Sequence, residues 1–296
     1  MPDSDFTSAF KKKLNETFEF TINFLNSHNL KWWAAYGTSI GAVRHKGIIP
    51  WDDDIDIFMP YSDYRKLLSM HENLNGTPYR MALPLGNGNI CPYAKIYDCN
   101  TTIWEISRWP FLTGVWIDIF PLYESNADRN EFLKLTKTYT SLLSAYQRSV
   151  SRFPAKYVFS LITGLHLRTL ACEFVPSLFL KFKVKQYKQA FFNFESKIDN
   201  GNGGYYIFPF TYMKSNSNRF PKSWFADSIE VPFETYSVKI PSGNHEILSQ
   251  IYGDYMTPPP AEKQKTHHSQ VYVNLKEGLE MDEVKSRLAK GETRIY

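Results

Sequence analysis

The amino-acid sequence predicts an α+β or mixed α/β fold, and three features carry that expectation. Apolar residues recur every three to four positions near the start, short strand-forming runs broken by Gly, Pro and Asn fill residues 79–120, and a long helical texture covers residues 128–199. With 296 residues, 43% of them apolar and 22% charged, the chain is too hydrophobic for disorder and long enough for one large domain or two smaller ones.

In chain order, Phe6, Phe10, Leu14, Phe18, Ile22 and Leu25 describe one face of a helix over residues 5–28. The run KWWAAYGTSIGAVRHKG then opens as a short buried strand ending at Gly37. Thr38 and Ser39 offer capping hydroxyls for a short helix through Val43. Strand, glycine turn and helix start, in that order, suit an anion. Residues 54–59 read as a strand, and Pro60, Ser62 and Asp63 open a helix through His71. Strands are expected at residues 79–83, 93–98, 101–106 and 114–120.

The helical stretch 128–199 carries 12 Lys and Arg against 5 Asp and Glu, so the basic charge is concentrated there. NGNGG, residues 200–204, marks a break. IEVPFETYSVKIP then reads as two strands joined at a turn, followed by a helix over 242–252, the proline run TPPPAEKQKTHH and an amphipathic end from Leu275.

A net charge of +4 falls far short of a dedicated nucleic-acid binder, so no nucleic-acid partner is expected. Cys91, Cys99 and Cys172 are odd in number and show no CxxC spacing, which fits a reducing compartment. The first residues do not read as a signal peptide, and no window reaches about 18 uninterrupted apolar residues. A cytoplasmic protein is expected. The stretch AKYVFSLITGLHLRTLACEFVPSLFLKFKVK mixes apolar faces with cations, so residues 155–188 are either a helical subdomain with solvated lysines or a peripheral contact with the inner face of the cytoplasmic membrane.

The chemistry centres on IPWDDDIDIF, residues 49–58, where Asp52, Asp53, Asp54 and Asp56 interrupt an apolar run. In a strand Asp54 and Asp56 share a face, with Asp52 in the same parity, and adjacent carboxylates repel unless a polyvalent cation neutralises them. Solvated surface acids are disfavoured because like charges on one strand face are unfavourable. An EF-hand loop fails, because Ile57 and Asp63 stand where it needs Gly and Glu. Capping can account for Asp53 alone. Oxygen ligands of this kind select Mg2+ or Mn2+, and such ions serve substrate phosphates.

The stretch YGTSIGAVRHKGIIPWDDDIDIFM closely resembles the signature of LicD-type phosphotransferases, the LicD/fukutin-like family of the DNA polymerase beta-like nucleotidyltransferase superfamily. YAKIYD, GVWIDIFPL, VPFE and YGDYMTPPP followed by THH resemble later blocks of that family in the same order. About two fifths of the chain lies in or beside these blocks. The resemblance implies an α+β fold with a nucleotidyltransferase-like small mixed sheet, flanking helices and a helical insertion. It divides the chain into a catalytic core over 1–127, a basic helical insertion over 128–199 and a C-terminal segment completing the core over 200–296.

By that resemblance Asp54, Asp56 and Asp118 are the catalytic carboxylates, and with Asp52 they hold the metal. Asp118 by itself could be a capping acid, although an acid amid VWIDIF needs a partner if buried. Gly37, Thr38, Ser39 and Arg44 are assigned to the donor's phosphates, while Lys95 either snorkels or reaches the same phosphates. Of His267 and His268, paired histidines in a polar loop, the family pattern draws His268 towards the site. Trp32, Trp33, Trp51 and Trp116 are most simply core, with one near the acids able to face a quaternary ammonium.

The implied reaction moves a phospho-alcohol group, phosphocholine first among choline, ethanolamine, glycerol and ribitol, from a CDP-alcohol donor such as CDP-choline to a glycan acceptor. That acceptor belongs to lipopolysaccharide, capsule or teichoic acid and can be lipid-linked. Two alternatives stay open: a nucleotidyltransferase using a nucleoside triphosphate, and a non-catalytic glycan-binding relative.

Overall fold

In this computed structural model, residues 4–296 are described except 87, 154, 211–217 and 267–269. The strands are β1 (Trp33–Ala34), β2 (Asp56–Pro60), β3 (Tyr79–Ala82), β4 (Ala94–Asp98), β5 (Thr102–Trp104), β6 (Trp116–Ser125), β7 (Tyr205–Ile207), β8 (Arg219–Pro221), β9 (Ser228–Phe233), β10 (Tyr236–Pro241), β11 (Tyr272–Asn274) and β12 (Arg294–Ile295). The helices are α1 (Ser4–Ser27), α2 (Tyr36–Ile40), α3 (Tyr61–Ser69), α4 (Arg129–Val150), α5 (Ala155–Thr163), α6 (Leu167–Thr169), α7 (Val175–Leu180), α8 (Val184–Glu195), α9 (Asn244–Tyr252) and α10 (Met281–Ala289). The architecture is α+β.

The principal sheet runs β1-β2-β6-β4-β3. β2 and β6 are parallel and the other neighbours on that path are antiparallel. β7 extends the sheet from the far end of β6, and β8 pairs with β7. β9 and β10 form the expected hairpin, and β12-β11-β5 make a small third sheet.

Strand alternation sorts this sheet into two cores. Ile57, Met59, Ile96, Ile117 and Ile119 meet the apolar stripe of α1, including Phe10, Leu14, Phe18 and Ile22. Phe58, Phe120 and Leu122, one residue out of phase, join a second core that includes Tyr139 and Leu143 of α4 and Phe191 of α8. Each such side chain contributes roughly 1.5–3 kcal/mol by leaving water. Asp56 and Asp118 have the parity of Phe58 and Phe120, so both carboxylates point to the second core's side of the sheet.

The helical block begins on a capping box. Asp128 accepts from the N–H groups of Asn130 and Glu131, and the Glu131 carboxylate accepts from the N–H of Asp128 at 3.1 Å. Across the second core the Tyr123 hydroxyl donates to Glu195 at 2.5 Å. Burial pushes the Glu195 carboxyl up to about 7 against an ordinary 4.5, with the Tyr123 hydrogen bond opposing the rise. The fold therefore holds this proton more tightly than the unfolded chain does. Stability from this group is full below about pH 4.5 and falls as pH rises to about 7, by about 3 kcal/mol. Chemical denaturation between pH 5 and 8 should accordingly show a decline that Glu195→Gln flattens; a variant with the wild-type slope would exclude this group as its source.

Several boundaries depart from the expectations. β2 starts at Asp56 instead of 54, leaving Asp54 in the extended approach to the strand, although Ile55 already accepts from the Asp118 N–H at 2.9 Å. β1 is only two residues long, and α2 starts at Tyr36, so Gly37 lies in its first turn and does not end a strand. Past Ile40 the chain continues as a π-helical turn, Gly41–His45, before Lys46 reverses it in the left-handed region at φ 58. No side-chain hydroxyl caps α2, because Thr38 and Ser39 serve other groups.

Candidate active site

The site forms where two separate acidic segments arrive on one side of the principal sheet. Residues Asp56 and Asp118 are direct register partners on the parallel strands β2 and β6, and Lys95 of β4 is the register partner of Asp118 on its other side. The row Asp56, Asp118, Lys95 thus crosses three adjacent strands. It forms one wall of a cavity of about 890 Å³ that Asp52, Asp54, Gly37 and Arg44 also line.

Asp118 is 3% exposed, and its Oδ1 lies 2.8 Å from the Lys95 Nζ. Lys95 is itself 2% exposed, with Glu105 at 3.9 Å and the Trp116 ring centroid at 4.3 Å. Lys95 therefore does not snorkel. It is a buried cation whose ammonium burial alone would lower, but which Asp118 and Glu105 hold above its usual value. Across the three-strand row this ammonium opposes only part of the negative charge.

Asp56 feels the remainder. Burial raises its carboxyl well above the ordinary range, and Asp54, Asp118 and Asp52 raise it further against the opposing pull of Lys95. In the approach to β2, one carboxylate oxygen from each of Asp52, Asp53 and Asp54 lies within 4.8 Å of the others. Asp53, expected only to cap, thus joins its neighbours, though it does not line the cavity. An all-oxygen set of this charge fits Mg2+ or Mn2+ better than Zn2+.

The segment around Gly37 shapes this cluster. Tyr36 sits at φ 44, a left-handed conformation a non-glycine residue adopts only at a cost of about 1–2 kcal/mol. Its ring packs edge-on against Phe58 and Phe120, with centroids 4.9 and 5.4 Å away. At Gly37 an added Cβ would lie 2.6 Å from the Asp52 Oδ2. Gly37→Ala is therefore expected to displace the Asp52 carboxylate, lower catalytic efficiency by roughly tenfold or more and leave the melting temperature within a few degrees of wild type. Paired kinetics and calorimetry read both quantities, and unchanged kinetics would show that Asp52 needs no fixed position.

Thr38 and Ser39 are buried behind the cavity wall. Thr38 Oγ1 accepts from the Asp56 N–H at 2.7 Å, which fixes the start of the acidic strand, and the Ser39 hydroxyl donates to Asn244 Oδ1 at 2.6 Å. Both residues position the site from outside the cavity. Arg44 lines the cavity, with Nη1 donating to the Tyr255 carbonyl and its guanidinium 5.9 Å from the Trp51 ring centroid. His268 lies outside the described residues, as does His267. Of the four tryptophans, Trp32, Trp33 and Trp116 are core and Trp51 borders the cavity.

The VPFE block acts at a distance. Glu234 accepts from the Ile48 N–H at 2.9 Å and donates its own N–H to the Lys46 carbonyl at 2.8 Å, tethering the loop that carries the acids. A Cβ on Gly47 would stand 2.3 Å from the Glu234 Oε1, so a larger residue there would push this carboxylate off the Ile48 N–H.

Sequence reasoning missed Glu105, Tyr36, Tyr252, Tyr255 and Asn218, all of which border the cavity. Glu105 had a signal in the sequence, since it is an acid next to a strand-forming run, as Asp118 is within one. Tyr252 and Tyr255 lie in YGDYM, within the block that resembles the family's own. Burial, then Asp56, Asp52 and Asp54, raise the Tyr252 phenol, so it faces the acids as a protonated hydrogen-bond donor. Burial likewise pushes the Cys91 thiol up to about 11, so this cavity-wall cysteine is no thiolate nucleophile.

Carboxylates converging from two chain segments on a cavity with a cationic and aromatic surround suit the binding of a divalent ion and a phosphate, and the relatives of this chain place it in the phosphotransferase class. Residues 29–171 match the family model described as LicD/FKTN/FKRP, nucleotidyltransferase domain. The chain is 30% identical over 250 residues to the lipopolysaccharide cholinephosphotransferase LicD of Haemophilus influenzae, covering 79% of this chain and 85% of that protein. A shorter match, 37% identical over 46 residues, relates it to the ribitol 5-phosphate transferase FKRP of Homo sapiens, covering 16% of this chain and 9% of that protein. This chain belongs to the LicD/FKTN/FKRP family.

Proposed function

We propose that this chain transfers a phospho-alcohol group, phosphocholine foremost, from a CDP-activated donor to a sugar hydroxyl of a cell-surface glycan. The reading is carried by the direct pairing of Asp56 with Asp118 beside Asp52 and Asp54, in a chain whose relatives' names describe cholinephosphate and ribitol 5-phosphate transfer. Trp51, Trp109, Tyr252 and Tyr255 around the cavity suit a quaternary ammonium, which aromatic faces attract.

Asp52, Asp54, Asp56 and Asp118 would hold Mg2+ or Mn2+, which supplies charge neutralisation at the donor's pyrophosphate and polarises the phosphorus under attack. The sugar oxygen forms a bond to the phosphorus bearing the alcohol, and the bond from that phosphorus to the CMP oxygen breaks. Asp118 takes the hydroxyl proton, and the Lys95 ammonium beside it favours the charged carboxylate that this step requires. Arg44 offers guanidinium donors to the phosphates, and the backbone at Gly37 can approach them closely.

Incubation with CDP-choline and a glycan acceptor should release CMP, while CTP should yield no pyrophosphate. Asp54→Asn should lower CMP release by roughly 10³-fold. Pyrophosphate from CTP would instead establish a nucleotidyltransferase, and turnover of neither donor with any glycan acceptor would favour a glycan-binding relative.

A further inference from the structure

Residues 155–188 leave a run of large apolar side chains uncovered. Phe159 and Ile162 on α5 are 68% and 56% exposed, Leu165 in the following turn and Leu167 at the start of α6 76% and 67%, and Phe179 on α7 and Phe182 just past its end 70% and 81%. Singly such residues are ordinary, but this many within one segment mark a surface that something else covers. The opposite side of the segment is tied down: Leu161 is buried, Ser177 is buried, and α7 packs on α4.

Its charge narrows the occupant. The segment carries six Lys and Arg against a single acid, Glu173, and Arg168, Lys181, Lys183 and Lys185 are exposed. Glu173 is itself engaged by Arg108. A second copy of the chain would set this positive charge against itself, whereas an anionic lipid surface accepts both the cations and the apolar side chains between them. Among the described residues no helix is long and apolar enough to cross a membrane, so the contact would be peripheral.

The base of this segment is joined to the cavity rim. Arg108 holds Glu173, the Arg108 carbonyl accepts from the Arg152 N–H at 2.8 Å, and the Trp109 indole donates to Ser151 Oγ at 3.0 Å. Trp109 and its neighbour Ile106 line the cavity itself. We infer that residues 155–188 dock on an anionic membrane surface through these apolar and basic side chains, setting the cavity mouth beside the headgroups.

Vesicle flotation tests this without donor or acceptor, so its outcome is separate from that of the proposed reaction. The full chain should float with phosphatidylcholine vesicles containing phosphatidylglycerol and not with phosphatidylcholine alone, and added salt should release it. The pair Phe179→Asp and Phe182→Asp, and separately the triple Lys181→Glu, Lys183→Glu and Lys185→Glu, should each reduce the bound fraction by roughly tenfold or more while circular dichroism stays unchanged. Absence of flotation with either vesicle, or flotation untouched by both variants, would overturn the inference. So would light scattering that finds a dimer dissolved by the phenylalanine pair, with no vesicle binding, since a second copy would then cover the patch.

Discussion

Replacing Asp56 with Asn should abolish turnover and at the same time make the cation-free protein more stable. In the folded chain burial and three carboxylate neighbours raise the Asp56 carboxyl well above its ordinary value. The fold therefore favours the protonated form, and the stability this group allows is full below its unfolded value and lost as pH rises through the folded one. At neutral pH the charged form is a standing cost, which Asn removes while keeping the shape. Thermal melts in EDTA should show Asp56→Asn above wild type at pH 8, with the difference vanishing near pH 3. Adding Mg2+ should stabilise wild type and leave the variant where it was, with the variant's turnover down by roughly 10³-fold. A variant less stable than wild type at pH 8 without cation would contradict the picture of an acid cluster awaiting a counter-ion.

Asp118→Asn should behave in the opposite sense on stability. It strands the Lys95 ammonium, 2% exposed, beside Glu105 at 3.9 Å, so a loss of about 3–5 kcal/mol is expected together with the loss of turnover. Adding Lys95→Met should recover most of the stability, because neither charge is then buried, and none of the activity. Denaturant melts and CMP release on the two single variants and the double complete the cycle. Additive stability losses would mean that Lys95 and Asp118 do not depend on each other, and recovered turnover in the double would remove Asp118 from the chemistry. Opposite stability signs for two acids facing each other across adjacent strands would follow from Lys95, which pairs with Asp118 and leaves the burial cost of Asp56 to be offset by the cation.

Much of this could be read along the chain. The α1 stripe from Phe6 to Leu25 needs only its 3.6-residue period, and the β9–β10 hairpin only a turn between two strand-forming runs. The acids at 52–56 were legible because carboxylates amid Ile and Phe contradict the local pattern, whereas Asp118, which by itself could have been a capping acid, was assigned through the resemblance to the family. What failed was whatever depended on a distant partner. Thr38 looks like a cap or a phosphate ligand until β2 brings the Asp56 N–H within 2.7 Å of its hydroxyl, and Lys95 is open to snorkelling or to phosphate contact until β4 lays it beside Asp118.

The sequence by itself thus determined where the carboxylates cluster, that α1, a strand at the acids and the β9–β10 hairpin would form, and to which family the chain is similar. Tertiary structure alone decided that Asp56 and Asp118 are register partners, that Lys95 is occupied by Asp118, and that Tyr252 and Glu105 join the cavity. Periodicity and composition are local properties written every few residues. A pairing between residues 56 and 118 is set by strand register and by the two cores packed on either face of the sheet, and no short window of sequence contains it.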